Sequence, residues 1–290
     1  MNNNLYDKIT IVLVLYEEEF KLISQCLESI KHFNIIIIDN AGNKKLKEKI
    51  TNKFHILDYI LNPKNVGYSV AVNQGINLCL TEYVFVYQAD CIISIKDIEI
   101  LFNAHKKYEN CFLVSPTYYD SNSTLSFNGN PLIEKNLEKK IIQLEGDICV
   151  DSIITAAYLF KKKDMVDIGL FDENFFIYFL DYDFCRKVNN KNKSIIQVFE
   201  SKAIHLHGDL KVKNFFKKIF FRNYHYTFDE LYYYLKINHH HKIFNKLKKK
   251  IPNYFLKCLL NFFLLRPDKI TRNFAIILAY FKFKKFLKNY

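Results

Sequence analysis

No stretch of the chain reaches the roughly 18–20 apolar residues needed to span a bilayer, so no membrane-crossing helix is expected. The seven cysteines (Cys26, Cys79, Cys91, Cys111, Cys149, Cys185 and Cys258) are scattered, odd in number and without a C-x-x-C pair. That argues against a disulfide framework or a zinc ribbon and for a reducing compartment. The basic flank and long apolar segment of a signal peptide are missing as well. Ile9–Tyr16 is short and is followed by three glutamates, so it reads as a buried first strand. There is no internal repeat of solenoid length. Acid is scarce at one end: from Lys211 to Tyr290, 19 Lys/Arg face only Asp229, Glu230 and Asp268. Of 42 basic and 30 acidic residues, the first 210 positions therefore hold 23 and 27, and the net charge of +12 belongs to the tail. An acid-rich front repels phosphates, which makes nucleic acid an unexpected partner despite that total.

Half of the 290 residues are hydrophobic, enough for a large core and too many for a disordered chain. Along the first hundred, short β-type runs alternate with helical patterns. Strands are expected at Ile9–Tyr16, Asn34–Asp39, Ile56–Leu61 and Tyr83–Tyr87, and helices at Phe20–His32, Lys44–Phe54 and Ser69–Leu80. The four consecutive isoleucines before Asp39 do not alternate with polar residues, as in a strand covered on both faces. Strands separated by helices of this length make βαβ units around a parallel sheet. From Cys111 to Phe199 the pattern is less regular, with strands expected at Cys111–Ser115 and Ser194–Phe199 and a helix at Asp181–Asn189. A boundary falls near residue 210, dividing an α/β domain (1–210) from a helical, basic and aromatic region (211–290).

Ligands of parallel α/β sheets bind beyond the carboxyl ends of the strands, where Asp39 and Asp90 both lie. Either could equally be a turn cap. Asn65-Val66-Gly67-Tyr68-Ser69-Val70-Ala71-Val72-Asn73-Gln74-Gly75 has the form N-x-G-x-x-x-A-x-N-x-G. Gly67 allows a turn that no Cβ obstructs, Ala71 allows close packing, and the helix start is a natural phosphate seat. Gln88-Ala89-Asp90 follows a strand directly. Gly169-Leu170-Phe171-Asp172-Glu173-Asn174-Phe175-Phe176 leads into Leu180-Asp181-Tyr182-Asp183, where Asp181 opens a helical stretch and could serve as its cap. A late strand ends in His205-Leu206-His207-Gly208-Asp209.

In order and spacing, these segments resemble the inverting glycosyltransferases of family 2, which have the GT-A fold; the likeness covers about residues 8–225. The resemblance implies a Rossmann-like nucleotide-sugar-binding domain with a mostly parallel sheet, and a nucleotide-sugar donor contacted by Asp39, Asn65, Gly67, Asn73 and Asp90. It implies a divalent cation, Mg²⁺ or Mn²⁺, on Asp90 and on His205, with His207 a rival for the second place. Gln88 stands where the family normally has the first acid of D-x-D. Asp181 is implied as the general base and Asp183 as an acceptor contact or a support behind it. His205 with Gly208-Asp209, the aliphatic Leu180, and Arg222-Asn223 followed by Tyr226 look like the rhamnosyltransferase branch, which implies dTDP-L-rhamnose as donor. A UDP-hexose, N-acetylhexosamine or galactofuranose donor is the alternative within the class. A non-catalytic scaffold of a glycan-assembly complex is the alternative outside it. The acceptor would be a glycan or lipid-linked saccharide of a bacterial surface polysaccharide.

The likeness says nothing of the tail. There, Ile251–Leu265 and Phe274–Leu287 mix Phe, Leu and Ile with Lys at spacings compatible with amphipathic helices. Such helices lie in the membrane interface with lysines toward anionic headgroups, so the expected location is cytoplasmic, peripheral on the inner face of the cell membrane. The alternative is a helical cap on the catalytic domain. The triple His239-His240-His241 reads as a solvated surface run.

Overall fold

The computed structural model describes residues 5–127, 129–135, 145–206 and 214–289. The chain divides into two compact units, Met1–Asp172 with Asp181–Gly208, and Glu173–Leu180 with Asp209–Tyr290. The short segment Glu173–Leu180 groups with the C-terminal helices.

The first unit opens with α1 (Leu5–Lys8) and then β1 (Ile9–Leu15), α2 (Phe20–Ile30), β2 (Asn34–Asp39), α3 (Lys44–Thr51), β3 (Asp58–Leu61), α4 (Tyr68–Leu78) and β4 (Tyr83–Gln88). It continues through β5 (Cys91–Ile93), α5 (Ile95–Lys107), β6 (Cys111–Tyr119), β7 (Leu125–Phe127), β8 (Ile148–Val150), β9 (Ala157–Lys161), α6 (Lys162–Asp167), α7 (Leu180–Asn190) and β10 (Ser194–His205). One sheet runs β3-β2-β1-β4-β9-β6-β10-β5, with β7 beside β6 and β8 beside β10. Four of its ladders are parallel: β3 on β2, β2 on β1, β1 on β4 and β6 on β10. β9 is antiparallel to both β4 and β6, and β5 is antiparallel to β10. Ile35 to Ile38 of β2 are fully buried, as a strand covered on both faces requires.

The register decides where chemistry can occur. Leu15 pairs with Asp39, Asp39 with Leu61, and Val14 with Gln88, so the carboxyl ends of β1 to β4 form one edge. β10 runs on past the expected Phe199, through an irregularity between Val198 and Lys202, and ends at His205 opposite Cys91. That pairing sets His205 beside the end of β4. Strand β9 and helix α5 were not expected from the sequence. Ala157 to Phe160 of β9 are wholly buried and show no alternation, while α5 is capped at Ser94, whose hydroxyl accepts from the Asp97 N–H.

The second unit consists of the 173–180 segment and three helices: α8 (Phe215–Lys236), α9 (His240–Phe263) and α10 (Pro267–Phe286). Its interior holds Leu231, Tyr232, Tyr233, Ala275, Ile277, Ala279, Tyr280 and Phe283. Asp229, also fully buried, accepts hydrogen bonds from the backbone N–H groups of Phe176, Ile177 and Tyr178. Its carboxyl is pushed up to about 7, because burial outweighs those three donors. The basic stretch Lys242–Lys250 lies inside α9, and the inner side of α10 is spent on the helix core. Among the described residues, no helix is long and apolar enough to cross a membrane. All seven cysteines are free.

Candidate active site

Asp181 sits in the first turn of α7 with its carboxylate half-buried. It does not act merely as a helix cap, since the Thr155 hydroxyl donates to its Oδ1. Loss of solvent pushes the Asp181 carboxyl up to about 6, and hydrogen bonds from the Thr155 hydroxyl and backbone hold it from rising further. A carboxylate poised near neutrality is suited to accepting a proton from an alcohol as that oxygen begins to bond elsewhere.

Thr155 is buried just before β9 and gathers three groups. Its hydroxyl serves Asp181, and its carbonyl accepts from the Tyr68 hydroxyl (3.1 Å) and the Gln88 amide (2.9 Å). The Gln88 backbone N–H binds the next carbonyl, that of Ala156, at 2.9 Å. Burial pushes the Tyr68 phenol well up, so it stays a neutral donor. Gln88 is therefore an amide that braces the residue holding Asp181. Sequence reasoning did not single out Thr155 as the partner of Asp181.

Asp90 follows β4, and β5 brings its carboxylate to 3.6 Å from the His205 Nε2. The Tyr118 ring lies beside the His205 imidazole, with centroids 6.0 Å apart. These two expected cation ligands are thus brought together, one on each side of a β-pairing. Among the described residues, no group of three or more His, Cys, Asp or Glu gathers as a metal cage. The rival His207 and the Gly208-Asp209 pair lie outside the described residues.

Asp39 is fully buried at the end of β2. Its carboxylate accepts from the Ala41 and Asn43 N–H groups (2.8 and 3.2 Å) and from the Tyr59 hydroxyl (3.2 Å). It thus shapes the turn that follows it. Beside it, Asn40 donates to the Gly67 carbonyl, and Asn62 bridges the Asn40 and Gln74 amide oxygens. This buried amide set ties β2 and β3 to the start of α4. Asn65 Oδ1 accepts from the Gly67 N–H at 2.9 Å, and Gly67 takes φ 94°, a conformation that suits glycine.

Two further expected site residues have side chains engaged within the protein. The Asn73 side chain is buried and makes a reciprocal pair with the Phe171 backbone, donating to its carbonyl (2.9 Å) and accepting from its N–H (3.1 Å). Its amide holds the Gly169–Asp172 turn on α4. Asp183 is 1 % exposed, with Arg186 Nη2 at 3.9 Å and Lys187 Nζ at 4.0 Å. A carboxylate this enclosed is placed as a support within α7, one of the two roles expected of it.

An α/β sheet with a tuned carboxylate, a carboxylate–imidazole pair and a helix N-terminus at one strand edge is the arrangement of a group-transfer enzyme acting on a nucleotide-activated substrate. Residues 10–165, more than half of the chain, match the family described as Glycosyl transferase family 2. The chain belongs to that family and is a glycosyltransferase. It is similar to the dTDP-rhamnosyl transferase RfbF of Shigella flexneri, 26% identical over 222 residues that span 73% of this chain and 72% of that one. It is also similar to the low-salt glycan biosynthesis hexosyltransferase Agl10 of Haloferax volcanii, 26% identical over 71% of this chain and 69% of that one. Among solved structures, GalNAc-T7 with UDP, GalNAc and Mn²⁺ shares the fold at TM-score 0.57 and 14% identity. That match covers 78% of this chain but only half of the other.

Proposed function

We propose that this glycosyltransferase inverts configuration and transfers L-rhamnose from dTDP-L-rhamnose to a glycan or lipid-linked saccharide in bacterial surface polysaccharide synthesis. Asp181 takes the proton from the acceptor hydroxyl as that oxygen bonds to the anomeric carbon. The bond from that carbon to the nucleoside diphosphate breaks in the same step, and the diphosphate departs with its electron pair. The observation that carries the reading is Asp181 itself: half-buried, held by Thr155, and raised to about 6. A base with this pKa is ionised at neutral pH yet still able to accept a proton as charge develops. The rhamnosyl preference draws on the similarity to RfbF, together with Leu180 and His205. The similarity to a hexosyltransferase keeps a UDP-hexose donor as the second reading.

Asp90 and His205 fit a divalent cation: one hard oxygen donor and one borderline imidazole, 3.6 Å apart at the strand edge. Two protein ligands leave the remaining positions to phosphate oxygens and water, the usual pattern for Mg²⁺ and Mn²⁺ at diphosphates. When bound, the cation would offset charge on the leaving diphosphate. The acceptor's lipid carrier gives the basic C-terminal region its reason to face the inner surface of the cell membrane.

The test is thermal stability against dTDP, dTDP-rhamnose, UDP-sugars and GDP-sugars, with and without Mn²⁺. A ligand bound only by the folded state raises Tm by an amount that grows with the logarithm of one plus the ratio of free ligand concentration to Kd. Mn²⁺-dependent stabilisation by the dTDP compounds alone is the expected result. Stabilisation by UDP compounds instead would move the donor and keep the mechanism, whereas silence from every nucleotide would overturn the reading.

A further inference from the structure

The second half of α9 leaves outside what a water-facing helix would bury. Eight of the eleven residues from Phe255 to Leu265 are large, apolar and exposed: Phe255, Leu256, Leu259, Leu260, Phe262, Phe263, Leu264 and Leu265. Positions 255, 256, 259, 260 and 263 share one helical face by their spacing. The three phenylalanines alone, at 49%, 67% and 79%, expose about two whole residues of that type. At roughly 150–250 Å² each, this already reaches the few hundred Å² of contiguous apolar surface that soluble monomers ordinarily tolerate. α10 is mixed: Ala275, Ile277, Ala279, Tyr280 and Phe283 are buried, while Phe274, Leu278 and Phe281 are exposed.

The elbow after α9 sharpens the point. Leu265 takes φ 52°, the left-handed position at a helix end that usually goes to glycine. Here it carries leucine, the most exposed of the eight at 86%. The elbow is flanked by cations, with Lys248, Lys249 and Lys250 upstream and Arg266, Lys269 and Arg272 downstream. Between Glu230 and Asp268 the sequence contains no acid.

We propose that this elbow, Phe255 to Leu265, is the element that docks on an anionic lipid surface. Its Phe and Leu side chains enter the boundary between headgroups and acyl chains, and the flanking Lys and Arg meet lipid phosphates. A second copy of the chain is disfavoured as occupant, since joining two such elbows would oppose their Lys and Arg with Asp268 as the one acid beside them. The inference deepens the membrane-facing part of the function proposed above, and it requires no sugar transfer.

The experiment is flotation of the full chain with vesicles of phosphatidylcholine alone and of phosphatidylcholine mixed with phosphatidylglycerol. The protein is expected to float with the mixed vesicles, to stay behind with the neutral ones, and to be partly released by salt. The double variant Phe263→Ser, Leu265→Ser, at exposed positions that leave the fold intact, should bind the mixed vesicles about tenfold more weakly or worse, with unchanged Tm. Failure of the unmodified protein to bind, or equal binding by the double variant, overturns the proposal. So does a dimer that the double variant abolishes, because a second copy would then be the occupant. Donor-dependent stabilisation, read on the same preparations, separates the two claims: its survival without vesicle binding sinks the elbow alone.

Discussion

Replacing Thr155 by valine keeps the size of the side chain and removes the hydroxyl that donates to Asp181. The Thr155 carbonyl still accepts from Tyr68 and Gln88, so the frame of the site survives. A hydrogen bond to an ionised group contributes about 1.5–3 kcal/mol, and each pKa unit corresponds to about 1.4 kcal/mol. The Asp181 carboxyl, already at about 6, should therefore climb by roughly one to two units. At pH 7 the ionised fraction would fall from about nine-tenths to between about one-half and one-tenth. Transfer at pH 7 should drop about two- to tenfold and recover by about pH 9, with the acid limb of kcat/KM moving upward. Thr155→Ser, which keeps a hydroxyl, should leave the limb in place. An acid limb that stays near 6 in the valine variant, or a loss of rate equal at every pH, would refute the claim that this hydroxyl tunes the base.

Asp181 also has a stability signature. Its folded pKa is raised, so the folded state binds the proton more tightly, and the ionised carboxylate carries a penalty that grows from about pH 4 to pH 6 and is complete above it. Asp181→Asn should raise stability at pH 7.5 by on the order of 3 kcal/mol, with no gain at about pH 4 and with transfer lost; an unchanged Tm at pH 7.5 would contradict this. Gly75→Ala would place a Cβ 2.3 Å from Val12 Cγ1, which should cost about 1–3 kcal/mol in denaturant unfolding; Val12→Ala in the same chain should restore part of it. Asp229→Ala should cost on the order of 3 kcal/mol, since three half-buried backbone N–H groups lose their acceptor; a midpoint within about 0.5 kcal/mol of the parent protein would count against that role. Gln88→Glu, which restores an acid, should lower transfer, because a carboxylate would oppose the Thr155 carbonyl and add negative charge near Asp181. Increased transfer in that variant would mean Gln88 is a lost metal ligand after all.

The four parallel strands β1 to β4 were legible because each is a short, unbroken apolar run between helical patterns, and Asn34–Asp39 was read to the residue. The second half of the sheet was not. β9 is antiparallel between two strands that are remote in sequence, and its run Ala157–Lys161 has no alternation to distinguish a strand from a buried turn of helix. β10 was cut short at Phe199 because Glu200 to Lys202 break the apolar run, although pairing resumes and carries His205 to Asp90. Thr155 was invisible for a related reason: its three partners stand 87, 67 and 26 residues away, and only folding joins them. In the tail, composition gave the helices but not their sides. Which face of α9 or α10 turns inward depends on the partner helix, and no single-helix pattern contains that.

The segment from Asn65 to Gly75 shows why a motif can identify a fold with force and still say little about ligands. Each of its fixed positions has a structural reason. Asn65 turns the chain onto the Gly67 N–H, Gly67 holds φ 94°, Ala71 is fully buried, Asn73 grips the Phe171 backbone, and Gly75 lies where any Cβ would strike Val12. Five independent constraints met within eleven residues are hard to satisfy by accident, which gives the pattern its specificity. None of the five requires the side chain to touch a nucleotide. What the segment leaves for a ligand is the amino end of α4, where backbone N–H groups without helical partners favour an anion whatever side chains surround them. The residues proposed to carry chemistry lie instead where the fold brings distant segments together: Thr155 with Asp181, and His205 with Asp90.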